Sequence, residues 1–332
     1  MSIIIGGFVE TNYVGIDLWN DVLTSTIHTD CPTNIYPDYV GISGIQYSST
    51  FSEIYIGHYD SVQIFNSTTG AYKETIQLYS YGMYNYVRTI VANGDYLYVL
   101  IDDYDGYCRL KKVQLSDRTV LQTVTMNHLG IAYGMDFVND KIYIPIQYSG
   151  TYLIEEYNLS DLSYVNSYSN TTYQFYELNN SCFSESTGYI YYPGNGWYLI
   201  RFDTNAKTFS NTVTTYNVVE FRMDDNGYIW GYSENAPSPG LQKYDSSLNL
   251  ITSGYTTLNY FGGMFIDSNY IYMIQRLNVN SKTAVYKVNL TTLSSEQSVE
   301  SSPSGGYCGL KISADLPISS ILFLDEEPII LI

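Results

Sequence analysis

The chain has 332 residues and a formal net charge of −18, from 33 acidic and 15 basic residues. Binding of nucleic acid requires a basic surface, and no segment concentrates Lys or Arg, so we expect no nucleic-acid partner. No apolar run reaches the roughly 20 residues of a transmembrane helix, so we also expect no membrane insertion. The first basic residue is Lys73, which predicts no signal peptide because a secretory leader begins with positive charge.

The composition favours strands over helices. Tyr occurs 38 times, and hydrophobic residues make up 45% of the chain. Aromatic and β-branched side chains pack well on pleated sheets. The sequence therefore predicts an all-β protein with ample material for a core.

A short apolar segment recurs along the chain at intervals of 39 to 50 residues. This spacing is close to the ~40 to 45 residues of a four-stranded propeller blade. We interpret each segment as the second strand of a blade, which predicts one seven-bladed β-propeller domain over residues 1–332. The seven segments are Ile54-Tyr55-Ile56, Leu97-Tyr98-Val99, Ile142-Tyr143-Ile144, Ile190-Tyr191-Tyr192, Ile229-Trp230-Gly231, Ile271-Tyr272-Met273 and Ile321-Leu322-Phe323.

Each of the first six segments is followed by a third strand, a polar turn and an outer strand, and is preceded by an inner strand. The last segment has too little chain after it, whereas 14–18 and 23–27 look like third and outer strands without a preceding repeat. We therefore expect one blade to be completed by both termini, which leaves no open sheet edge in the ring. The predicted blades are approximately 44–78, 86–125, 131–168, 180–214, 218–255, 260–299, and 307–332 closed by 3–27.

Two resemblances accompany this pattern. Ile54-Tyr55-Ile56-Gly57, then the third strand and turn from Val62 to Gly70, then Glu74-Thr75-Ile76 resemble the YVTN family of propeller repeats, which implies a fold but no activity. The bias toward Tyr, Ser, Thr and Asn with scarce Lys resembles surface and virion proteins of archaeal viruses. That second resemblance implies an extracellular or virion-surface location.

The segments before the inner strands are rich in aromatic residues. In a propeller these loops gather on one face, where tyrosines can stack on sugars or form a protein interface. The same rings can instead fill the seams between blades. The candidates are Tyr39, Tyr86, Tyr133, Tyr176, Tyr216, Tyr260 and Tyr307.

Charged residues are predicted on the inner strands as well. Arg88 and Arg222, together with Lys311, could form an anion site or pair with acids such as Asp136 and Glu220. These two roles stay open.

Catalytic and metal motifs are sparse. His28, His58 and His128 lack metal-ligand spacing, and Cys31, Cys108, Cys182 and Cys308 form no CxxC pair, so we expect no metal and no cofactor. One or two disulfides remain open. The acidic loop at 102–106 fails the EF-hand pattern and is better explained as an exposed loop than as a calcium site.

These observations favour a non-enzymatic recognition or assembly module that binds glycan or protein through one propeller face. One alternative is a polysaccharide hydrolase or lyase using Asp136, Glu220 and Asp267, since glycosidases use paired carboxylates. The other is a structural subunit that self-assembles through its outer strands.

Overall fold

The computed structural model describes residues 2–10, 13–20, 25–32, 42–58, 60–69, 71–79, 86–103, 105–132, 134–170, 181–184, 186–194, 198–213, 218–233, 240–254, 261–266, 269–276, 283–300 and 318–321. All regular elements of this part are strands. In chain order they are β1 (Ser2–Glu10), β2 (Tyr13–Asn20), β3 (Ser25–Pro32), β4 (Ile42–Ser48), β5 (Glu53–His58), β6 (Ser61–Asn66), β7 (Tyr72–Gln77), β8 (Tyr86–Asn93), β9 (Tyr96–Asp102), β10 (Tyr107–Gln114), β11 (Val120–Leu129), β12 (Ile131–Ala132), β13 (Asp136–Val138), β14 (Lys141–Tyr148), β15 (Thr151–Asn158), β16 (Tyr164–Asn170), β17 (Cys182–Ser184), β18 (Tyr189–Gly194), β19 (Tyr198–Asp203), β20 (Thr208–Val213), β21 (Val218–Met223), β22 (Ile229–Ser233), β23 (Gly240–Tyr244), β24 (Leu250–Gly254), β25 (Phe261–Ile266), β26 (Tyr270–Arg276), β27 (Thr283–Asn289), β28 (Ser295–Glu300) and β29 (Ile318–Ile321). Among the described residues, no helix is long and apolar enough to span a membrane.

Six antiparallel sheets are each formed by one continuous segment, with strands in sequential order. We call them blade 1 (β4–β7), blade 2 (β8–β11), blade 3 (β12–β16), blade 4 (β17–β20), blade 5 (β21–β24) and blade 6 (β25–β28). In blade 3 the inner position is shared by β12 and β13, which both pair with β14. Sheets of this kind, repeated along the chain, define the β-propeller fold.

The recurring apolar segments form the second strands of these six blades, as predicted. Ile54, Tyr55 and Ile56 of β5 are fully buried, as are Ile142 and Ile144 of β14. Their runs are apolar throughout because both faces of the strand are covered. The hydrophobic core of each blade is therefore centred on the repeat found in the sequence.

The polar residue that ends the third strand forms the following turn. Asp203 Oδ1 accepts hydrogen bonds from the backbone N–H groups of Asn205 and Ala206, both at 2.8 Å. Asn66 and Asn289 do the same in blades 1 and 6. An Asx side chain that satisfies backbone donors explains why Asn or Asp recurs here.

A further sheet joins the ends of the chain in the order β29-β1-β2-β3. β29 runs parallel to β1, with Ser2 opposite Ile318 and Ile5 opposite Ile321. The second-strand assignment of Ile321-Leu322-Phe323 is therefore wrong, and the described residues form six blades rather than the predicted seven. β29 occupies the end position of this sheet, and β1, which contains Ile3 to Ile5, occupies the second.

The chain divides into two compact units. Unit 1 comprises Met1–Val99, Val113–Val120 and Asn259–Ile332, and unit 2 comprises Leu100–Lys112 and Leu121–Leu258. Within unit 1, β29 contacts the inner strands β4 and β25, and β4 contacts β8. Within unit 2, the inner strands β13, β17 and β21 contact one another in sequence. Each unit thus shows the neighbouring inner strands expected of a propeller, while the single-domain assignment stays a prediction.

Candidate binding surface

Most tyrosines of the predicted aromatic face lie outside the described residues. Tyr86 is the first residue of β8, but its side chain is likewise outside the described part. The aromatic-face hypothesis stays a prediction for this set. The undescribed positions are Tyr39, Tyr133, Tyr176, Tyr216, Tyr260 and Tyr307.

The two candidate arginines lie on inner strands, as expected. Arg88 is on β8 in unit 1 and Arg222 is on β21 in unit 2, and both are partly buried. The Nη1 of Arg222 donates to the carbonyl oxygen of Phe221 at 2.8 Å. The structure therefore supports their placement and leaves the choice between anion binding and ion pairing as a prediction.

Asp136 is the centre of a buried polar cluster in unit 2. Its Oδ2 accepts hydrogen bonds from Ser181 Oγ at 2.7 Å and Tyr192 OH at 3.2 Å. Burial, followed by the Asp136 carboxylate, raises the pKa of Tyr192 well above its usual range, so the phenol keeps its proton and donates. Such contacts hold the inner strands in place. The hydrolase alternative also invoked Asp267 and Glu220. Asp267 and the side chain of Glu220 lie outside the described residues.

Cys182 lies in the same region and is a free thiol, as is Cys108. Burial raises the pKa of Cys182 to about 12, an effect that Arg222 opposes and Asp136 reinforces. Both described thiols are thus buried and unlinked, whereas Cys308 and the side chain of Cys31 lie outside the described residues.

His128 and Glu155 form the most chemically distinctive pair in the described part. The Glu155 side chain is fully buried on β15, and its Oε1 accepts from the His128 backbone N–H at 2.8 Å and lies 2.5 Å from His128 Nδ1. Its Oε2 accepts from the Asn127 backbone N–H at 3.2 Å and from the Tyr157 hydroxyl. Burial and the Glu155 carboxylate raise the pKa of Tyr157, so this hydroxyl acts as a donor.

This arrangement fixes the orientation and tautomer of the His128 ring. Because both Glu155 oxygens already act as acceptors, Nδ1 must carry the proton that it shares with Oε1. In its neutral form, the imidazole then presents Nε2 as a hydrogen-bond acceptor or base. The His128 side chain remains 24% exposed.

The Tyr148 ring lies beside this histidine, and other exposed apolar residues are its neighbours along the chain and on adjoining strands. The His128 and Tyr148 rings lie 5.5 Å apart, and Ile131 pairs with Gln147 in the adjoining strand. Leu129, Ile131 and Tyr148 are each about two-fifths exposed. We call the group of His128, Leu129, Ile131, Tyr148 and Tyr107 the His128 surface.

Gly130 brings the two sides of the His128 surface together. Its φ is +153°, and its N–H donates to the carbonyl oxygen of Gly106, next to Tyr107, at 3.0 Å. A Cβ at position 130 would lie within 2.1 Å of the Gln147 carbonyl oxygen. Only glycine permits this close approach of the loop to β14.

The neighbouring acidic loop forms an ion-pair cluster. Arg109 pairs with Asp103 and, through Nη2 at 2.6 Å, with Asp105. The described residues contain no group of three or more His, Cys, Asp or Glu side chains suited to a metal ion. Arg109 supplies one positive charge to the two carboxylates. Asp105 is 47% exposed and Asp103 is 11% exposed, so the prediction of an exposed loop holds for Asp105 but not for Asp103.

Comparison with known proteins defines the class. No family model and no curated protein matches the sequence. The structure is similar to the crystal structure of a candidate 6-phosphogluconolactonase from Bacteroides uniformis, with a TM-score of 0.65, 13% identity, and coverage of 90% of this chain and 96% of that chain. At this identity the likeness shows the fold alone, and it supports the assignment of the chain as a β-propeller protein.

Proposed function

We propose that the protein is a non-enzymatic recognition module that binds a glycan through the His128 surface. The main support for this proposal is that exposed apolar and aromatic side chains lie near an imidazole whose orientation is fixed. Clustered exposed apolar groups with polar neighbours are typical of interaction sites. An extracellular or virion-surface location, inferred from composition, would give such a module access to glycans.

The chemistry of the surface suits an uncharged sugar. Tyr107, Tyr148 and His128 offer ring faces that stack on the C–H faces of sugars, and the phenols supply hydroxyl handles. The His128 Nε2 can accept a hydrogen bond from a sugar hydroxyl. The net charge of −18 disfavours anionic glycans, because their approach would be repelled.

A glycan array probed with the intact chain tests this proposal. We expect binding to neutral glycans without turnover, and at least about tenfold weaker binding for Tyr148→Ala, since a stacking aromatic is a typical hot spot. Tyr164→Ala is the matched control, because Tyr164 is similarly exposed on β16 of the same unit. Failure of the intact chain to bind any neutral glycan, or equal losses in both variants, would exclude this surface as a glycan site.

A hydrolase is the second candidate, favoured by the His128–Glu155 pair. An imidazole oriented by a buried carboxylate is the arrangement that general bases use. The similar structure from Bacteroides uniformis is described as a candidate lactonase, so 6-phosphogluconolactone and neutral polysaccharides are the substrates to assay. Turnover that is lost in His128→Gln would replace the binding proposal with the hydrolase.

We also propose that the β29-β1-β2-β3 sheet acts as a seventh blade completed by both termini. Its support is the parallel pairing of β29 with β1 and the contacts of β29 with β4 and β25 within unit 1. Hydrogen exchange tests it, because protection at Ile3 to Ile5 should be lost when residues 316–332 are deleted. Unchanged protection would show that the two termini do not form one blade.

A further inference from the structure

Five segments of the chain match Asn-x-Ser/Thr, the acceptor motif for N-linked glycosylation. They begin at Asn66, Asn158, Asn170, Asn179 and Asn289. Glycosylation joins the side-chain Nδ2 of Asn to a sugar, so the modifying enzyme must reach that amide and the hydroxyl of the third residue. Asn179 lies outside the described residues, and the other four asparagines differ in burial and in hydrogen bonding.

The Asn66 amide leaves its nitrogen open to an enzyme. Asn66 ends β6 and is partly exposed, and its Oδ1 accepts hydrogen bonds from the backbone N–H groups of Thr68 and Thr69 at 2.9 and 2.8 Å. Its Nδ2 donates to no group within the described part of the chain, and this atom is not buried. Thr68 is exposed, and its hydroxyl also makes no hydrogen bond to a described residue. Both groups that glycosylation requires are therefore accessible.

Two of the other motifs are held within the fold. The Asn158 amide is bound through both of its polar atoms, since Oδ1 accepts from Lys141 Nζ at 2.6 Å and Nδ2 donates to Ser163 Oγ at 2.7 Å. Asn170 is only 5% exposed. An enzyme would have to break these contacts or open the fold before it could reach either nitrogen.

Asn289 is the closest structural match to Asn66. It ends the third strand of blade 6, and its Oδ1 accepts from the backbone N–H groups of Thr291 and Thr292 at 2.9 and 3.1 Å. Its Nδ2, however, donates to Glu296 Oε1 at 2.9 Å. The two turns therefore differ in whether the amide nitrogen already has an acceptor.

We propose that Asn66 is an N-glycosylation site, and that hydrogen bonding of the amide nitrogen decides which motifs of the folded chain are modified. The donor is an oligosaccharide carried on a lipid pyrophosphate. Asn66 Nδ2 forms a bond to C1 of the first sugar and gives up one proton to a base of the transferase. The bond from C1 to the pyrophosphate oxygen breaks, and the lipid pyrophosphate is released. The inference rests on the extracellular location proposed above, because such acceptor motifs are used in secreted proteins.

Modification of the folded chain in vitro tests this inference. The chain is incubated with a purified oligosaccharyltransferase and a lipid-linked oligosaccharide, and mass spectrometry of peptides gives the rate at each asparagine. Synthetic peptides 62–72, 154–164 and 285–295 give the rate of each motif without the fold. We expect the ratio of the folded-chain rate to the peptide rate to be at least about fivefold higher for Asn66 than for Asn158 or Asn289, which corresponds to the ~1 kcal/mol of one hydrogen bond.

Variants of two residues serve as matched controls, and circular dichroism checks that each variant folds. Glu296→Ala removes the acceptor of Asn289 Nδ2, so modification of Asn289 should rise about fivefold while that of Asn66 stays unchanged. Thr68→Ala should abolish modification of Asn66, whereas Thr68→Ser should retain it, because the motif accepts either hydroxyl.

Three results would overturn the inference. They are the absence of modification at Asn66 in the folded chain, equal rate ratios at Asn66, Asn158 and Asn289, and no gain at Asn289 in Glu296→Ala. Because the measurement detects covalent transfer of a sugar, none of these results bears on glycan binding at the His128 surface.

Discussion

Glu53 of unit 1 and Glu155 of unit 2 are both buried, and their carboxylates are satisfied in different ways. Glu53 in unit 1 is 2% exposed and accepts hydrogen bonds from Arg118 Nη2 at 2.7 and 2.9 Å, from Tyr55 OH at 2.7 Å and from Lys73. Glu155 in unit 2 is surrounded by neutral donors, namely two backbone N–H groups and the Tyr157 hydroxyl, and by the His128 ring. The first carboxylate has Lys and Arg side chains as partners, and the second has backbone, phenol and imidazole groups.

The two sites differ in whether the hydrogen-bond donors can bind water once the carboxylate is removed. The Lys73 and Arg118 side chains are 39% and 18% exposed, so their charged ends can recover water. The donors around Glu155 include backbone groups and Tyr157, which is fully buried. Removal of the carboxylate should therefore destabilise the fold less where its partners are charged side chains that reach solvent than where they are buried neutral donors.

Replacement of Glu155 by Ala should have the largest effect. It leaves several buried donors without an acceptor, each costing about 1 to 3 kcal/mol, so we expect the free energy of unfolding to fall by about 3 to 4 kcal/mol. Urea unfolding measures this, with Glu74→Ala, an exposed carboxylate in unit 1, as the control. Equal losses in the two variants would show that water replaces the Glu155 carboxylate without cost.

Replacement of Glu53 by Ala should have the next largest effect on the free energy of unfolding. Removal of one partner of a buried ion pair costs about 3 to 5 kcal/mol, and the partial exposure of Arg118 and Lys73 reduces this to about 2 kcal/mol. Glu74 also pairs with Arg118, at 2.8 Å, but is 48% exposed, so Glu74→Ala should cost less than about 1 kcal/mol. A Glu53→Ala loss larger than that of Glu155→Ala would reverse the comparison.

The Glu53 cluster should also make stability depend on acid pH. Burial raises the pKa of Glu53, but hydrogen bonds from Lys73, Tyr55 and Arg118 together outweigh this, so the pKa lies below its ordinary value of 4.5. The stabilisation is present above pH 4.5 and is lost as the pH falls through the lower pKa of the folded state. The difference in unfolding free energy between wild type and Glu53→Gln should therefore be constant near neutrality and shrink below pH 4.5; a constant difference down to about pH 3 would contradict it.

The repeat was readable from sequence because it follows local burial. Ile54-Tyr55-Ile56 and its five counterparts are apolar since both strand faces are covered, and Asn or Asp follows wherever a side chain must satisfy the next turn. The assignment of Ile321 failed because a parallel pairing between β29 and β1 leaves no local pattern. The pairing of His128 with Glu155 could not be predicted from the sequence either, because the two residues are 27 positions apart on different blades and share no motif.

Replacement of His128 by Ala should have the smallest effect on stability and so sharpen the comparison. It removes one donor from a carboxylate that keeps three others, including the backbone N–H of residue 128, so we expect a loss below about 1 kcal/mol. Long-range proton–nitrogen NMR on the wild type should show the Nδ1–H tautomer of His128 at neutral pH. An Nε2–H tautomer, or a loss as large as that of Glu155→Ala, would mean that the imidazole is a structural partner of Glu155 whose Nε2 does not accept hydrogen bonds from a ligand.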